Sequence, residues 1–142
     1  DLDWVKFRVY LKDKYAVNTA YLFIGFIQSN QDLYSSLQKA GYILIFKPII
    51  LDKEGKAKGN CDADLVLYTI LEKDNYDKAI IVTSDGDFYS LIRYLYENKK
   101  LAMVLSPYSK TCSKLLKKEA KENINYMENL YNKIGSKRKR NA

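Results

Sequence analysis

The sequence predicts an α/β protein, a three-layer α/β/α sandwich with a mainly parallel central sheet. Two observations predict this class. Short apolar runs rich in β-branched and aromatic residues alternate along the chain with stretches whose apolar residues have helical spacing. The runs are also nearly continuous in their hydrophobicity, which is typical of parallel strands that are covered on both faces.

Four apolar runs are the predicted strands: YLFIGF (21–26), YILIFK (42–47), KAIIVT (78–83) and LAMVLS (101–106). Helical spacing follows at 32–40, 62–73 and 88–98, and Trp4 and Phe7 indicate a further helix near the start of the chain. The stretch 88–98 carries one apolar face, formed by Phe88, Leu91, Ile92 and Leu95. We therefore expect the four runs to be neighbouring parallel strands.

Length and composition indicate one compact domain. The chain has 142 residues, of which 47% are hydrophobic and 29% charged, enough for a substantial core. We predict a single domain over residues 1–134 and a basic, disordered tail over 135–142. No uncharged run approaches the ~18 residues of a membrane span, and the opening DLDWVKFRVY is too charged for a signal peptide. A soluble, cytoplasmic protein without a membrane partner is expected.

Side-chain chemistry narrows the classes of enzyme. The chain has no histidine, and its two cysteines, Cys61 and Cys112, are far apart. This excludes ordinary zinc sites, Ser-His and Cys-His nucleophile pairs, and acid-base catalysis by histidine. An enzyme with this composition would rely on carboxylates and a hard metal ion.

The net charge of +7 comes from one part of the chain. Residues 1–108 hold 14 basic and 14 acidic side chains, whereas residues 109–142 hold 10 basic and 3 acidic ones. A basic segment of this kind favours contact with a polyanion such as nucleic acid. The alternative is a solvated helix face followed by a frayed tail.

The motif VTSDGDF (82–88) ends the third predicted strand with two carboxylates. In parallel α/β sheets the carboxyl ends of the strands form the active site. Gly86 would permit a tight turn into the next helix, Ser84 or Asp85 would cap that helix, and Asp87 would lie in its first turn. Capping alone needs one carboxylate, so a second one with Thr83 and Ser84 beside it indicates an additional role.

A second acidic site lies in KAKGNCDADLVLYTI (56–70). Asn60 or Asp62 would start a helix there, and Asp62 and Asp64 diverge because they are two residues apart. These acids would complement the helix dipole, or one of them would join Asp85 and Asp87 in a pocket. Carboxylates gathered in this way repel each other unless a cation is present, and Mg²⁺ or Mn²⁺ prefers oxygen ligands.

The segments KGNCD and TSDGDF resemble the motifs of the NYN domain, a PIN-like nuclease family that includes the LabA-like bacterial proteins. The family has a K-G-x-(V)-D sequence at the start of a helix and a strand ending in a motif like (V/L)-S-G-D-G-D-F. The resemblance covers most of residues 4–131 by the order of elements and implies a PIN-like, Rossmann-like fold. It matches Asp62, Asp85 and Asp87 to metal-binding residues and Thr83 to the hydroxyl residue of the site.

The chain departs from the motifs of this family at Ser84 and at its first residues. Ser84 stands where glycine is usual, and we count Asn60, Asp64 and Ser84 as accessory site residues. The family opens with a strand that carries an I-D-x-x-N-like motif, whereas this chain begins at DLDWVKF, which looks like the helix after that strand. We therefore expect the first strand and its aspartate to be missing from the chain, which would leave the carboxylate set incomplete.

The resemblance implies hydrolysis of RNA phosphodiester bonds at a site that holds Mg²⁺ or Mn²⁺. Single-stranded RNA is the favoured partner, and a homo-oligomer is included among the expected assemblies. The lysines expected to hold the RNA are Lys58, Lys110, Lys114, Lys117 and Lys118. The thirteen tyrosines offer surfaces for base stacking, although a biased composition alone would also explain them.

Two other classes of protein remain in view. One is a catalytically inert PIN-like module that binds nucleic acid or a protein partner through its basic segment. The other is a TOPRIM-like or phosphotransferase-like α/β enzyme. It is weaker, because TOPRIM needs a glutamate at the end of an earlier strand and neither Phe26 nor Lys47 is followed closely by one.

Overall fold

The computed structural model describes residues 2–51, 53–55, 57–58 and 60–135, so most of the predicted tail lies outside the described residues. The described chain falls into two compact units. The first comprises residues up to 65 together with those from 132 onward, and the second comprises residues 66–131. Both units combine helices with parallel strands, which confirms the predicted α/β class.

The first unit is built around two parallel strands. Its elements are α1 (Trp4–Tyr15), β1 (Ala20–Phe26), α2 (Gln31–Lys39), β2 (Tyr42–Pro48), β3 (Ile50–Leu51), β4 (Ala57–Lys58) and the start of α3 (Asp62–Leu71). The β1–β2 register runs from Ala20 opposite Tyr42 to Phe26 opposite Pro48. The two-residue strands β3 and β4 form a separate antiparallel pair that the sequence did not predict.

Packing and hydrogen bonds tie α1 and α2 to this strand pair. Ala20, Leu37 and Tyr42 form a buried cluster. The guanidinium of Arg8 on α1 donates to carbonyl oxygens of Val17 and Asn18 in the segment before β1, at 3.2 and 3.1 Å. The segment that leads into β1 is thereby fixed against α1.

The second unit has three parallel strands in the order β5-β6-β7. Its elements are the rest of α3, β5 (Ala79–Val82), α4 (Tyr89–Glu97), β6 (Leu101–Ser106), α5 (Lys114–Ala120) and β7 (Ile124–Tyr126). Helix α6 (Tyr131–Ile134) comes next in the sequence, and all but its first residue belong to the first unit. The predicted pairing of the third and fourth runs is confirmed by β5 and β6. Strand β7 was not predicted, because three residues in a polar stretch show no usable periodicity.

The core of the second unit lies between its strands and helices α4 and α5. The predicted apolar face of residues 88–98 is buried: Phe88, Leu91, Ile92 and Leu95 are each at most 5% exposed. Val104, Leu105 and Leu116 are fully buried. Burial of side chains of this size stabilises the fold by roughly 1.5–3 kcal/mol each relative to exposure.

Two of the predicted helical stretches include a 3₁₀ turn. The predicted helix 88–98 begins as an α-helix only at Tyr89, because residues Gly86–Phe88 form a 3₁₀ turn. The predicted helix 62–73 ends at Leu71, and a further 3₁₀ turn follows at Lys73–Asn75. Within the part of the chain that the structure describes, no helix is long and apolar enough to cross a membrane.

One ion pair joins α4 to α5. The guanidinium of Arg93 donates twice to the carboxylate of Glu119, at 3.1 and 2.6 Å. Glu119 is almost fully buried, whereas Arg93 is half exposed. The hydrogen bonds from Arg93 hold the pKa of the Glu119 carboxyl below its ordinary value of 4.5. The folded state therefore favours the ionised carboxylate.

We predict that Glu119→Gln lowers the melting temperature at pH 7. The melting temperature of the variant should also change less than that of the parent as the pH is lowered into the acid range. A carboxyl whose pKa is lowered by folding stabilises the protein above its unfolded-state pKa, and that stability is lost as the pH falls through the folded-state value. The difference in melting temperature between parent and variant should therefore shrink below about pH 4.5. Thermal unfolding followed by circular dichroism between pH 7 and pH 3 measures it.

The matched control is Glu97→Gln, which removes an exposed carboxylate near the end of α4. This variant should lose little stability at pH 7, because the weak attraction of the exposed Glu97 to Arg93 is offset by the unfavourable position of its charge at a helix C-terminus. Equal melting temperatures of Glu119→Gln and the parent across the pH range would contradict the assigned role of the ion pair.

Candidate active site at the end of strand β5

The site begins where β5 passes out of the sheet. The amide of Thr83 donates to the carbonyl of Leu105 at 3.0 Å, so Thr83 still follows the neighbouring strand β6. Ser84 and Asp85 come next in extended or irregular backbone, and the 3₁₀ turn Gly86–Phe88 reverses the chain into α4. The motif therefore lies at the carboxyl end of β5, as predicted.

Hydrogen bonds within the motif fix Asp85. Its amide donates to the hydroxyl oxygen of Thr83 at 3.0 Å, and its carboxylate oxygen Oδ1 accepts from the amide of Asp87 at 2.8 Å. The predicted capping by Asp85 is therefore confirmed, but the capped element is the 3₁₀ turn. Helix α4 begins one turn later, after Phe88, without a side-chain cap.

One oxygen is enough for this cap, and other oxygens stay available to a ligand. Both Asp85 and Asp87 are exposed. None of the hydrogen bonds found within the described ranges uses Oδ2 of Asp85 or the carboxylate of Asp87. The tip of β5 thus presents carboxylate oxygens to solvent on a backbone that is already ordered.

A second loop supports the motif from the side. Residues 107–113 follow β6, and the amide of Ser113 donates to the carbonyl of Ser84 at 3.2 Å. A Cβ atom at Gly86 would overlap the hydroxyl of Ser113 and lie 3.0 Å from its Cβ. Glycine is thus required here for close approach between the two loops. The predicted reason, conformational freedom in a tight turn, is less important because the φ of Gly86 is not positive.

The predicted residues Asn60, Asp62 and Asp64 lie together at the start of α3, in the first unit. The side-chain oxygen of Asn60 accepts from the amide of Asp62 at 3.1 Å, and Asp62 and Asp64 occupy the first turn. The ammonium of Lys47, near the carboxyl end of β2, donates to the carbonyl of Asn60 at 2.7 Å. This start of α3 is therefore fixed at the carboxyl end of its own strand pair.

Cys61 takes no part as a thiolate. Burial raises the pKa of its thiol, and the carboxylates of Asp64 and Asp62 raise it further, although Lys47 lowers it. The thiol is protonated at neutral pH. Neither cysteine forms a disulfide, and Cys112 is buried.

The structure brings together Thr83, Ser84, Asp85 and Asp87 in the second unit, and Asn60, Asp62 and Asp64 in the first. Convergence of the two groups on one ion stays a prediction. Among residues 2–135, excluding those that the structure does not describe, no three side chains of His, Cys, Asp or Glu form a group able to hold a metal. The donors at the tip of β5 are carboxylate and hydroxyl oxygens, which suit Mg²⁺ or Mn²⁺.

Of the predicted RNA-binding lysines, four lie in the second unit. Lys110 is exposed on the loop after β6, and Lys114, Lys117 and Lys118 are exposed on α5. The ammonium of Lys117 donates to the carbonyl of Ser109 at 3.1 Å and lies 5.9 Å from the centre of the Tyr126 ring. Its role is therefore partly structural. Lys58 lies in β4 of the first unit.

Two serines at this edge were missed by the sequence interpretation. Ser106 ends β6, and its buried hydroxyl has no hydrogen-bond partner within the described part of the chain. Ser113 begins α5 as its N-cap, accepting from the amide of Leu115 at 3.1 Å, and also contacts Gly86. Two signals were available in the sequence. Ser106 is a hydroxyl residue at the end of an apolar run, and Ser113 directly precedes the run KLLKKEA, which forms α5.

We predict that Gly86→Ala destabilises the protein by about 1–3 kcal/mol, the usual cost of overpacking a fixed site. The backbone conformation of Gly86 suits alanine, so the cost arises from the overlap with Ser113. The destabilisation by Gly86→Ala should therefore be smaller in a Ser113→Ala background, with a coupling free energy between the two substitutions of at least about 0.5 kcal/mol. Chemical denaturation of the four proteins of this cycle measures it, and additive costs would contradict the steric explanation.

Comparison with known proteins agrees with this fold. The chain resembles a solved protein of unknown function from Vibrio parahaemolyticus RIMD 2210633, with a TM-score of 0.74 and 22% identity over 89% of this chain and 79% of that one. At this identity the likeness shows the fold alone. No curated protein matches the chain. A model of the NYN domain matches residues 1–128, which include both acidic groups, and the chain belongs to the NYN domain family.

Proposed function

We propose that this NYN domain is an endoribonuclease that cleaves single-stranded RNA in the cytoplasm with Mg²⁺ or Mn²⁺. The observation that carries the proposal is the pair of exposed carboxylates of Asp85 and Asp87 on an ordered strand tip. Membership of a nuclease-type family supports it. The excess of basic residues after position 108 supports a polyanionic substrate.

Asp85 and Asp87, together with Asp62, would hold the ion. A divalent ion bound there would activate water and stabilise charge on the leaving oxygen. The hydroxyl oxygen of Thr83 accepts a hydrogen bond from the amide of Asp85 and thereby orders its backbone. The hydrogen bond from the amide of Asp87 to Oδ1 of Asp85 restrains the orientation of that carboxylate. Because the chain has no histidine, no imidazole base is available at this tip.

Each acidic group lies at the carboxyl end of a strand within its own unit. Asp85 and Asp87 follow the carboxyl end of β5, and Lys47 fixes the start of α3 to the carboxyl end of β2. Active sites of parallel α/β sheets form at these ends. Asn60, Asp64 and Ser84 are proposed as accessory residues that order the two segments.

A catalytically inert binding module is the second candidate. It is favoured by the lack of a three-ligand acidic group within the described residues. The two proposals differ in whether RNA is cleaved, and they share the expectation that RNA is bound. Metal binding by the chain alone, measured by calorimetry with Mn²⁺, is the first observation that separates them.

We predict that Asp85→Asn and Asp87→Asn each abolish metal-dependent cleavage of single-stranded RNA in the full-length protein. Asparagine preserves the size of the side chain and much of its capping ability but removes the charge that a divalent ion needs. The fold and the RNA affinity should change little. Cleavage, melting temperature and RNA affinity are measured together on each variant.

The matched control is Asp32→Asn, an exposed acid in the first turn of α2. It should cleave at the parent rate. If Asp85→Asn lowered stability by up to about 1 kcal/mol but cleaved normally, Asp85 would be a cap only. Absence of metal-dependent cleavage by the full-length protein would leave the inert binding module as the better proposal.

A further prediction concerns the lysines. RNA affinity should fall steeply with salt, with a log-log slope set by about 0.7 counterions per phosphate contact on a single strand. Lys114→Ala and Lys118→Ala should each flatten the slope. Lys117→Ala should flatten it less and should lower the melting temperature, because its ammonium also bonds to Ser109. Fluorescence titrations at several salt concentrations test this, and an unchanged slope would make the lysines a merely solvated face.

A further inference from the structure

The loop at residues 107–113 is exposed in part, yet hydrogen bonds hold its backbone at both ends. The amide of Glu128 donates to the carbonyl of Pro107 at 3.0 Å. In return the carboxylate of Glu128 accepts from the amide and the hydroxyl of Ser109, at 2.9 and 3.3 Å. At its other end the loop is fixed by the bond from Ser113 to Ser84 and by the buried side chain of Cys112.

This fixed loop carries an exposed aromatic ring. The side chain of Tyr108 is 59% exposed, and none of the hydrogen bonds of the described residues involves it. Its backbone lies between Pro107 and Ser109, which are both held by Glu128. An aromatic side chain on an ordered backbone loses little conformational freedom when it binds, so it is suited to stacking.

The position of the loop relates the ring to the site. The loop follows β6, β5 and β6 are parallel neighbours, and Ser113 contacts both Ser84 and Gly86. The loop therefore borders the turn that carries Asp85 and Asp87. The exposed Lys110 lies within the loop, and the exposed Lys114 directly follows it.

We propose that Tyr108 stacks on a base of single-stranded RNA whose backbone passes the tip of β5. This inference rests on the proposed function, since it assumes that RNA is the ligand. Stacking on an aromatic ring accepts any base, because every base has a π-face, so Tyr108 contributes affinity with little sequence preference. Lys110 and Lys114 neutralise the phosphates on either side of the stacked nucleotide.

The test compares two labelled oligomers of about twelve nucleotides, oligoadenylate and an abasic ribose-phosphate chain of the same charge. Binding is measured by anisotropy in EDTA, so that no cleavage occurs. Tyr108→Ala should weaken oligoadenylate binding by about 5- to 100-fold and leave binding of the abasic chain unchanged. Tyr108→Phe and Tyr108→Trp should stay within about threefold of the parent, because both retain the ring.

Tyr131→Ala is the matched control, since Tyr131 is 58% exposed and lies outside the loop. It should bind oligoadenylate like the parent. The inference would be overturned if Tyr108→Ala bound oligoadenylate as tightly as the parent, or if it lost equal affinity for the abasic chain. In either case, RNA cleavage by the parent would still uphold the proposed function. If the parent bound neither oligomer, the proposed function and the inference would both fail.

Discussion

The contact between the loops that follow β5 and β6 is the constraint on which the candidate site depends. Parallel neighbours end at the same edge of a sheet, so the two loops meet there. The amide of Ser113 bonds to the carbonyl of Ser84, and Gly86 leaves the space that Ser113 occupies. The orientation of the β5 turn is therefore set by residues that are about thirty positions away in the sequence.

Capping and ligand binding are compatible roles for Asp85. One carboxylate oxygen accepts the amide of Asp87, and this bond orders the turn without using the other oxygen. A ligand bound by the free oxygen would meet a side chain whose rotamer is already fixed, which lowers the entropic cost of binding. Asp87 makes no capping bond of its own, and as an acid in the first turn it complements the dipole of the turn that leads into α4.

The sequence identified those features that depend on local pattern. The four apolar runs became strands β1, β2, β5 and β6, and the helical face of α4 proved to be buried. The position of TSDGDF at a strand end followed from the strand before it. By contrast, the contact between Gly86 and Ser113 joins distant residues, and no local pattern reports such a contact. The same limit explains the misjudged role of Gly86 and the missed strand β7, whose three residues pair with β6 only in the folded unit.

The charges on α5 are divided between its two faces, and this division explains how the helix can be both packed and basic. Its buried acid, Glu119, is neutralised chiefly by Arg93 from α4. The exposed lysines of α5 are therefore not needed as partners for that carboxylate, and their positive charge is directed to solvent. If a lysine of α5 itself paired with Glu119, the carboxylate would cancel part of the positive charge on the exposed face of the helix. Supplying the cation from α4 leaves the outer face free to attract a polyanion toward the loop at residues 107–113, which precedes the helix.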